Sequence, residues 1–415
     1  MLGNAVYWCL MHLYYLGIFV ASAFNAKARL WIKGRKKIFI KIEQELKNND
    51  EDKVWFHCAS LGEFEQARPV IETFKEKYPD KKIILTFFSP SGYEIRKNYP
   101  LADWVFYLPL DTPKNARKLV KLFNPELVFF VKYDLWYFIL RELHKKGKKI
   151  VLFSAIFRPN QIFFNKIAGK WYGRVLFFFS HIFVQDKASM HLLKRNGINN
   201  VSIAGDTRFD RVVKIAQQFE PLPLISDFVN DKTIVAGSTW EEDEKLLALY
   251  IKEHPEIKLI LAPHEVTAKN ISRITRLFNG NHVKYSELSD QKSAPKDAQV
   301  MIIDTIGLLS KLYKYATVSY VGGGFGNGIH NLLEAIVFGK PVVFGPNHKK
   351  FKEALDLLYL GIGFTINDYE SLDKELSRLI NDNQLRKEIE YKALRYIYNN
   401  TGATEKILKW VEKNI

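Results

Sequence analysis

Short apolar runs recur along the chain, separated by longer stretches in which apolar residues return every three to four positions. The runs at 54–58, 82–87, 104–107, 127–131, 149–153, 181–184 and 201–203 read as strands, with helical segments at 64–77, 91–98 and 113–123 between them. The alternation then stalls over 207–231, where FEPLPLISDF carries two prolines. It restarts with strands at 233–236, 258–262, 282–285, 300–303, 318–321 and 342–344, a turn and helix over 237–251, and a mostly helical tail over 386–415. Strands apolar throughout and joined by helices predict parallel sheets covered on both faces. The expectation is an α/β chain of two Rossmann-like domains facing across a cleft, with ligands beyond the carboxyl ends of the strands.

The N-terminus departs from this pattern. Residues 5–24 carry no formal charge, about the ~20 residues a helix needs to cross a bilayer. A basic run follows: Lys27, Arg29, Lys33, Arg35, Lys36, Lys37 and Lys41. Positive charge after the apolar run predicts a single-pass N-terminal anchor with the bulk of the chain cytoplasmic. A cleaved signal would carry its charges before that run; an interfacial or buried helix is the other reading. The division expected is 1–40 membrane anchor and basic collar, 41–210 N-terminal domain, 211–232 linker, 233–385 C-terminal domain, and 386–415 helices packing back on the first domain.

Among 415 residues the formal net charge is +16, which draws anions: phosphorylated metabolites, nucleic acid or an anionic membrane surface. With no recognition motif or clustered basic helix, no nucleic acid is expected as partner. Cys9 and Cys58 are the only cysteines, too few for a disulfide framework and without zinc-ligand spacing.

Four strand-end turns carry candidate chemistry. In HCASLGEFEQARP, residues 57–69, Ser60 and Glu63 have the spacing of a capping box; the same carboxylate can also take a proton from an attacking hydroxyl. In VAGSTWEEDE, 235–244, Thr239 and Glu242 repeat that spacing, and Gly237, Ser238 and Thr239 offer N–H and hydroxyl groups to a phosphate. LAPHE, 261–265, leaves His264 at a strand end, a nucleotide contact or an ordinary surface residue. The richest turn is YVGGGFGNGIHNLLEAIVFGKPVVFGP, 320–346, with five glycines within 322–328 and a helix predicted over 330–338. Glycines let the backbone approach an anion, and a helix N-terminus stabilises it. His330 and Asn331 would stand at that helix start, with Glu334 on the face of His330. A dinucleotide fingerprint belongs in the first turn of its domain; this one lies late, which argues for a mononucleotide donor. Arg158 and Arg208 are basic residues at turns, either phosphate contacts or surface ion pairs. No Asp-x-Asp pair sits at a strand end, so no metal and no cofactor are expected.

In this order, an apolar anchor, HxAS-x-GE, GxxxFD, GST-x-x-x-x-E, a Pro-His turn, GGG-x-G-x-G-x-HN-x-LE-A and GKPV-x-x-GP resemble the 3-deoxy-D-manno-octulosonic acid (Kdo) transferases. These are GT-B glycosyltransferases of lipopolysaccharide synthesis at the inner membrane. The resemblance runs from the anchor to about residue 355. It implies CMP-Kdo as donor, the lipid A precursor lipid IVA as acceptor, and Glu63 as general base. It also implies a donor site at Ser238, Thr239, His264, Gly323, His330, Asn331 and Glu334. Ser60, Arg158 and Arg208 are the candidates for acceptor or phosphate contacts. The chain departs from the family where P-R-H becomes Pro263-His264-Glu265, where Ile329 replaces a glycine, where GNLKFD has Arg208 for its lysine, and where E-x-E-x-W becomes Lys132-Tyr133-Asp134-Leu135-Trp136. The rival readings are a GT-B enzyme using a UDP-sugar on a lipid acceptor, and a non-catalytic, membrane-tethered nucleotide-binding module.

Overall fold

The computed structural model describes residues 2–47, 49, 51–165, 169–288 and 297–414. Two compact units account for them: 1–210 with 401–415, and 211–400. The first contains strands β1 (Lys53–Cys58), β2 (Lys82–Phe87), β3 (Trp104–Tyr107), β4 (Leu127–Val131), β5 (Lys149–Ala155), β6 (His181–Val184) and β7 (Val201–Ile203). They form one parallel sheet in the order β3-β2-β1-β4-β5-β6-β7. The second contains β8 (Thr233–Thr239), β9 (Lys258–Pro263), β10 (His282–Lys284), β11 (Val300–Ile302), β12 (Val318–Val321), β13 (Val342–Phe344) and β14 (Gly363–Thr365). Its order is β10-β11-β9-β8-β12-β13-β14, again parallel. The strands expected from the apolar runs are all present; β14 carries a glycine and only three residues, and the pattern missed it.

In each sheet growth passes from one edge to the other at a central switch point: between β1 and β4 in the first, between β8 and β12 in the second. Helices leave opposite faces there, opening a crevice at the strand carboxyl ends where open α/β sheets hold ligands. Alternate residues of the first sheet supply two cores. Trp55, Ile84, Val128 and Phe130 face one; Val54, Phe56, Leu85 and Phe129 face the other, which the C-terminal helix Ala403–Asn414 covers with Ala403, Ile407, Leu408 and Val411.

Three sequence expectations need correcting. The stretch 211–232 is no extended linker: helices Arg208–Gln217 and Pro223–Phe228 run through it, because the two prolines sit at and before a helix start rather than inside one. The C-terminal return is shorter than 386–415. Helix Asn383–Asn399 stays with the second unit and only 401–415 joins the first, where Gly402 and Thr404 N–H groups donate to Asp210 at 2.6 and 2.7 Å. The helix expected over 330–338 is a single turn, Leu333–Ile336.

The apolar N-terminus is the helix Leu2–Ala21, long and apolar enough to cross a membrane. One face lies on the first unit. Tyr7 donates its hydroxyl to the buried Asp111 carboxylate at 2.8 Å and packs among Tyr137, Phe138, Trp171 and Tyr172. Trp171 donates to Asn4 at 3.1 Å, and Tyr14 stacks on Phe88. The opposite face exposes Val6, Leu10, Leu13, Leu16, Phe19 and Val20. Arg35, counted with the basic collar, is turned inward instead. It donates to the carbonyls of Leu108 and Phe88 at 2.8 and 2.7 Å and lies over Trp31, and burial pushes its guanidinium down to about 9.

Candidate functional site

In the first unit, β1 ends at Cys58 and the helix Leu61–Lys77 begins one residue after the turn, with Ser60 as its N-cap. The capping box suggested by the spacing does not form, since the Ser60 side chain makes no bond to the helix N-terminus. Its hydroxyl instead donates to Glu63 Oε2 in a short contact. That turns the carboxylate away from its own backbone and leaves Oε1 to Lys132, whose Nζ lies 3.7 Å away. Lys132 follows β4, the strand beside β1, and its backbone is left-handed, φ 59°, a conformation costing a side-chain-bearing residue roughly 1–2 kcal/mol.

Beneath this pair runs a buried polar chain. His57 Nε2 meets Asp134 Oδ2 at 2.9 Å and Nδ1 meets Thr86 Oγ1 at 2.9 Å. Trp136 donates to the same Asp134 oxygen at 2.9 Å, and Trp55 donates to Thr86 at 2.8 Å. Trp136 also turns its indole N–H toward His57 Nε2, 3.1 Å away, so the imidazole, the carboxylate, the hydroxyl and both indoles form one connected network. The His of the HxAS motif therefore fixes Asp134, and with it the turn carrying Lys132. That function was missed because it joins residues 77 apart in sequence.

The weaker phosphate candidates divide. Arg158 is exposed at a turn closed by Gln161 accepting from its N–H at 3.1 Å. Arg208 is committed to the buried Asp206, donating from Nε at 3.0 Å and Nη2 at 2.8 Å. Burial pushes Asp206 up, but the Arg208 charge and donors outweigh it and hold the carboxyl below its usual range.

In the second unit, the turn after β8 and the glycine turn after β12 are tied by Asp243. This buried carboxylate accepts from Trp240 N–H at 2.9 Å, Gly323 N–H at 2.9 Å and Tyr320 OH at 2.7 Å. The expected Thr239–Glu242 box is thus replaced by Trp240 and Asp243, one position on. The cause is Ser238, left-handed at φ 54°, where the β8–β9 register shifts. Thr239 is buried and donates to Glu244 at 3.0 Å, so its hydroxyl supports the fold; Glu244 is held by Arg273. The glycine turn uses its own N–H groups as well: Gly326 and Gly328 donate to Gly323 O at 3.1 and 3.2 Å. Gly323 has φ 91°, and a Cβ there would meet Gly328 O at 2.6 Å. Gly324 lies so close to Gly345, of the GKPV-x-x-GP motif, that a Cβ on it would meet that backbone at 2.6 Å.

Three rings stand together at the ends of β8, β9 and β12. Trp240 and His264 stack with centroids 4.6 Å apart, and His264 and His330 at 4.4 Å. Trp240 donates its indole N–H to His330 Nε2 at 3.2 Å. Burial first, and then His264, lower the His330 imidazole to about 4, so it is neutral at physiological pH and carries its proton on Nδ1. Trp240 is 42% exposed, a flat apolar ring beside a neutral imidazole. Sequence reading singled out both histidines but passed over Trp240, which looked like a helix start. Asn331 donates to Glu334 at 3.0 Å and accepts from Leu333 N–H at 3.2 Å, so this pair shapes the single turn after the glycines. The structure brings Ser238, His264, Gly323, His330, Asn331 and Glu334 to one edge of the second sheet, and Ser60 and Glu63 to the matching edge of the first.

A family model described as 3-Deoxy-D-manno-octulosonic-acid transferase (kdotransferase) matches residues 33–211. Among curated proteins, the 3-deoxy-D-manno-octulosonic acid transferase of Rickettsia felis is 27% identical over 380 residues, covering 87% of this chain and 79% of its own. The enzyme of that name from Aquifex aeolicus is 28% identical over 355 residues, 84% of this chain and 90% of its own. Among solved structures, MurG of Acinetobacter baumannii superposes with a TM-score of 0.53 at 14% identity, covering 87% of this chain and 99% of that one; this likeness speaks to the GT-B fold alone. With the HxAS-x-GE and glycine turns each at the switch point of its sheet, these likenesses support a glycosyltransferase of the Kdo transferase kind.

Proposed function

We propose that the protein transfers Kdo from CMP-Kdo to a hydroxyl of lipid IVA, with Glu63 as general base. The observation that carries this is Glu63 itself: a carboxylate at the carboxyl end of β1, held by Ser60 through one oxygen and by Lys132 through the other. It takes the proton as the acceptor oxygen attacks the anomeric carbon of Kdo, while the bond from that carbon to the phosphate oxygen breaks and CMP leaves with the electron pair. The transition state is oxocarbenium-like, as at other glycosidic centres. The donor belongs to the second unit, where Trp240 offers a face to a nucleobase and the turns at 237–239 and 322–328 shape the surroundings of the phosphate. His330, neutral, contributes hydrogen bonding rather than charge.

Incubating the full-length protein in detergent with lipid IVA and CMP-Kdo should give a lipid heavier by whole Kdo units in mass spectrometry. Transfer from a UDP-sugar instead, or CMP binding without any transfer, would replace this reading with one of its rivals.

The N-terminal helix supports a membrane site of action. Because Asn4, Tyr7 and Tyr14 all bind the first unit, a span of roughly 15 Å along the helix is fastened to folded protein. A helix crossing the bilayer would have to give up those contacts. We therefore read it as lying in the interface with its outer apolar face in lipid, with Lys27, Lys33, Lys36 and Lys37 facing anionic headgroups. In inside-out inner-membrane vesicles, protease should remove an N-terminal tag; protection of the tag would show a crossing helix.

A further inference from the structure

The carboxyl edge of the first sheet poses an electrostatic problem for the acceptor proposed above. Glu63 and Asp134 both lie near enough to Cys58 to push its thiol up, adding to the larger effect of burial. An acceptor that carries phosphate must bring more negative charge to these two carboxylates, and like charges at short range repel strongly.

Lys132 is the cation at that edge. Its ammonium stands 3.7 Å from Glu63 Oε1, and its side chain is 31% exposed, so solvent and ligand can reach it. Its position is anchored: the N–H donates to Phe153 O at 3.0 Å, and two residues on, Asp134 is gripped by His57 and Trp136. The backbone at Lys132 is left-handed, a conformation that glycine adopts freely and a lysine only when its surroundings hold it there. Strain of this kind, at the switch point of an α/β sheet, collects at ligand sites. A partly exposed Lys–Glu pair at 3.7 Å is also a loose bond that a competing anion can open.

We infer that Lys132 determines acceptor specificity. Its ammonium receives an anionic group of the acceptor, a phosphate in the proposed reaction, beside the Glu63 carboxylate. Glu63 exchanges its lysine for the acceptor hydroxyl, so the ion that binds the substrate also frees the oxygen that takes the proton. No bond is made or broken in this exchange. The inference rests on Glu63 as the base and extends that reading to the chemistry the acceptor must carry.

The test compares wild type with Lys132→Met, Lys132→Arg and Lys132→Gly, using a phosphorylated glucosamine-disaccharide lipid and its dephosphorylated counterpart. Lys132→Met should raise KM for the phosphorylated acceptor on the order of tenfold to a hundredfold, the effect of losing one charge-assisted contact. Its kcat should stay within about threefold. Lys132→Arg should recover most of the loss, and the rise in KM should be about tenfold smaller with the dephosphorylated acceptor, which brings no anion to Lys132. Lys132→Gly keeps the left-handed backbone without strain and should show the same KM defect in a fully folded protein. Unchanged kinetics, a kcat loss at constant KM, or equal losses with both acceptors would each overturn the inference. Should the wild type transfer no Kdo, the proposed function fails, while calorimetry with the phosphorylated disaccharide still decides Lys132. Binding about tenfold weaker in Lys132→Met would support it, and equal binding would overturn it.

Discussion

Glu63→Gln should reduce kcat for Kdo transfer by about 10²–10⁴-fold and leave CMP affinity within a factor of about two. The amide has the shape of the carboxylate and still accepts from Ser60, so the helix Leu61–Lys77 keeps its start. What it lacks is a site for the proton of the attacking hydroxyl. The two expected results separate because Glu63 belongs to the first unit and the proposed nucleotide platform, Trp240, to the second. Steady-state transfer and calorimetric titration with CMP read them independently. A variant within tenfold of wild type would remove Glu63 from the role of base, and a parallel loss of CMP binding would mean that the substitution had disturbed more than proton transfer.

Local chemistry singled out Glu63, a carboxylate three residues after a serine where a strand turns into a helix, but that spacing suits a cap as well as a base, and the role of base came only with the family resemblance. The strands were legible from local pattern too, since a strand apolar on both faces leaves a run that no surface loop imitates. What failed were the details that tertiary structure decides. Both capping boxes had the right spacing and neither formed: Ser60 bonds the Glu63 side chain directly, and the left-handed Ser238 moves the second cap one residue along. The helix over 330–338 had the right periodicity but is shortened to one turn, because the glycine turn packs backbone against backbone at Gly345 and carries the chain past the point where a helix would start. Lys132 was visible as a departure from the family pattern, yet its partner is fixed only by the β1–β4 register that sets His57 beside Phe130. Trp240 was hidden by composition: a tryptophan beside four acidic residues reads as the start of a charged helix, and only the fold stacks it on His264 and turns its indole N–H to His330.

The second large effect belongs to Asp243. Asp243→Ala should destabilise the second unit by roughly 3–5 kcal/mol, because it leaves three donors without an acceptor in a site closed to water. Burial pushes the Asp243 carboxyl up despite those donors, and the three bonds together offset the cost of burying it. Two of them are backbone N–H groups, Trp240 from the turn after β8 and Gly323 from the turn after β12. The residue therefore holds the two halves of the proposed donor site in register. For a unit of this size the midpoint should fall by about 2–4 °C per kcal/mol, and CMP binding should weaken with it even though Asp243 itself is buried. Asp243→Asn tests the same bonds more gently: one oxygen still accepts, while the amide nitrogen presents hydrogens to a donor. It should fall between wild type and alanine in both stability and CMP affinity. If Asp243→Ala melts as the wild type does, the carboxylate is not what joins the turns. If it melts early yet binds CMP unchanged at low temperature, the nucleotide site is assembled by the glycine backbone contacts alone, through Gly324 and Gly345.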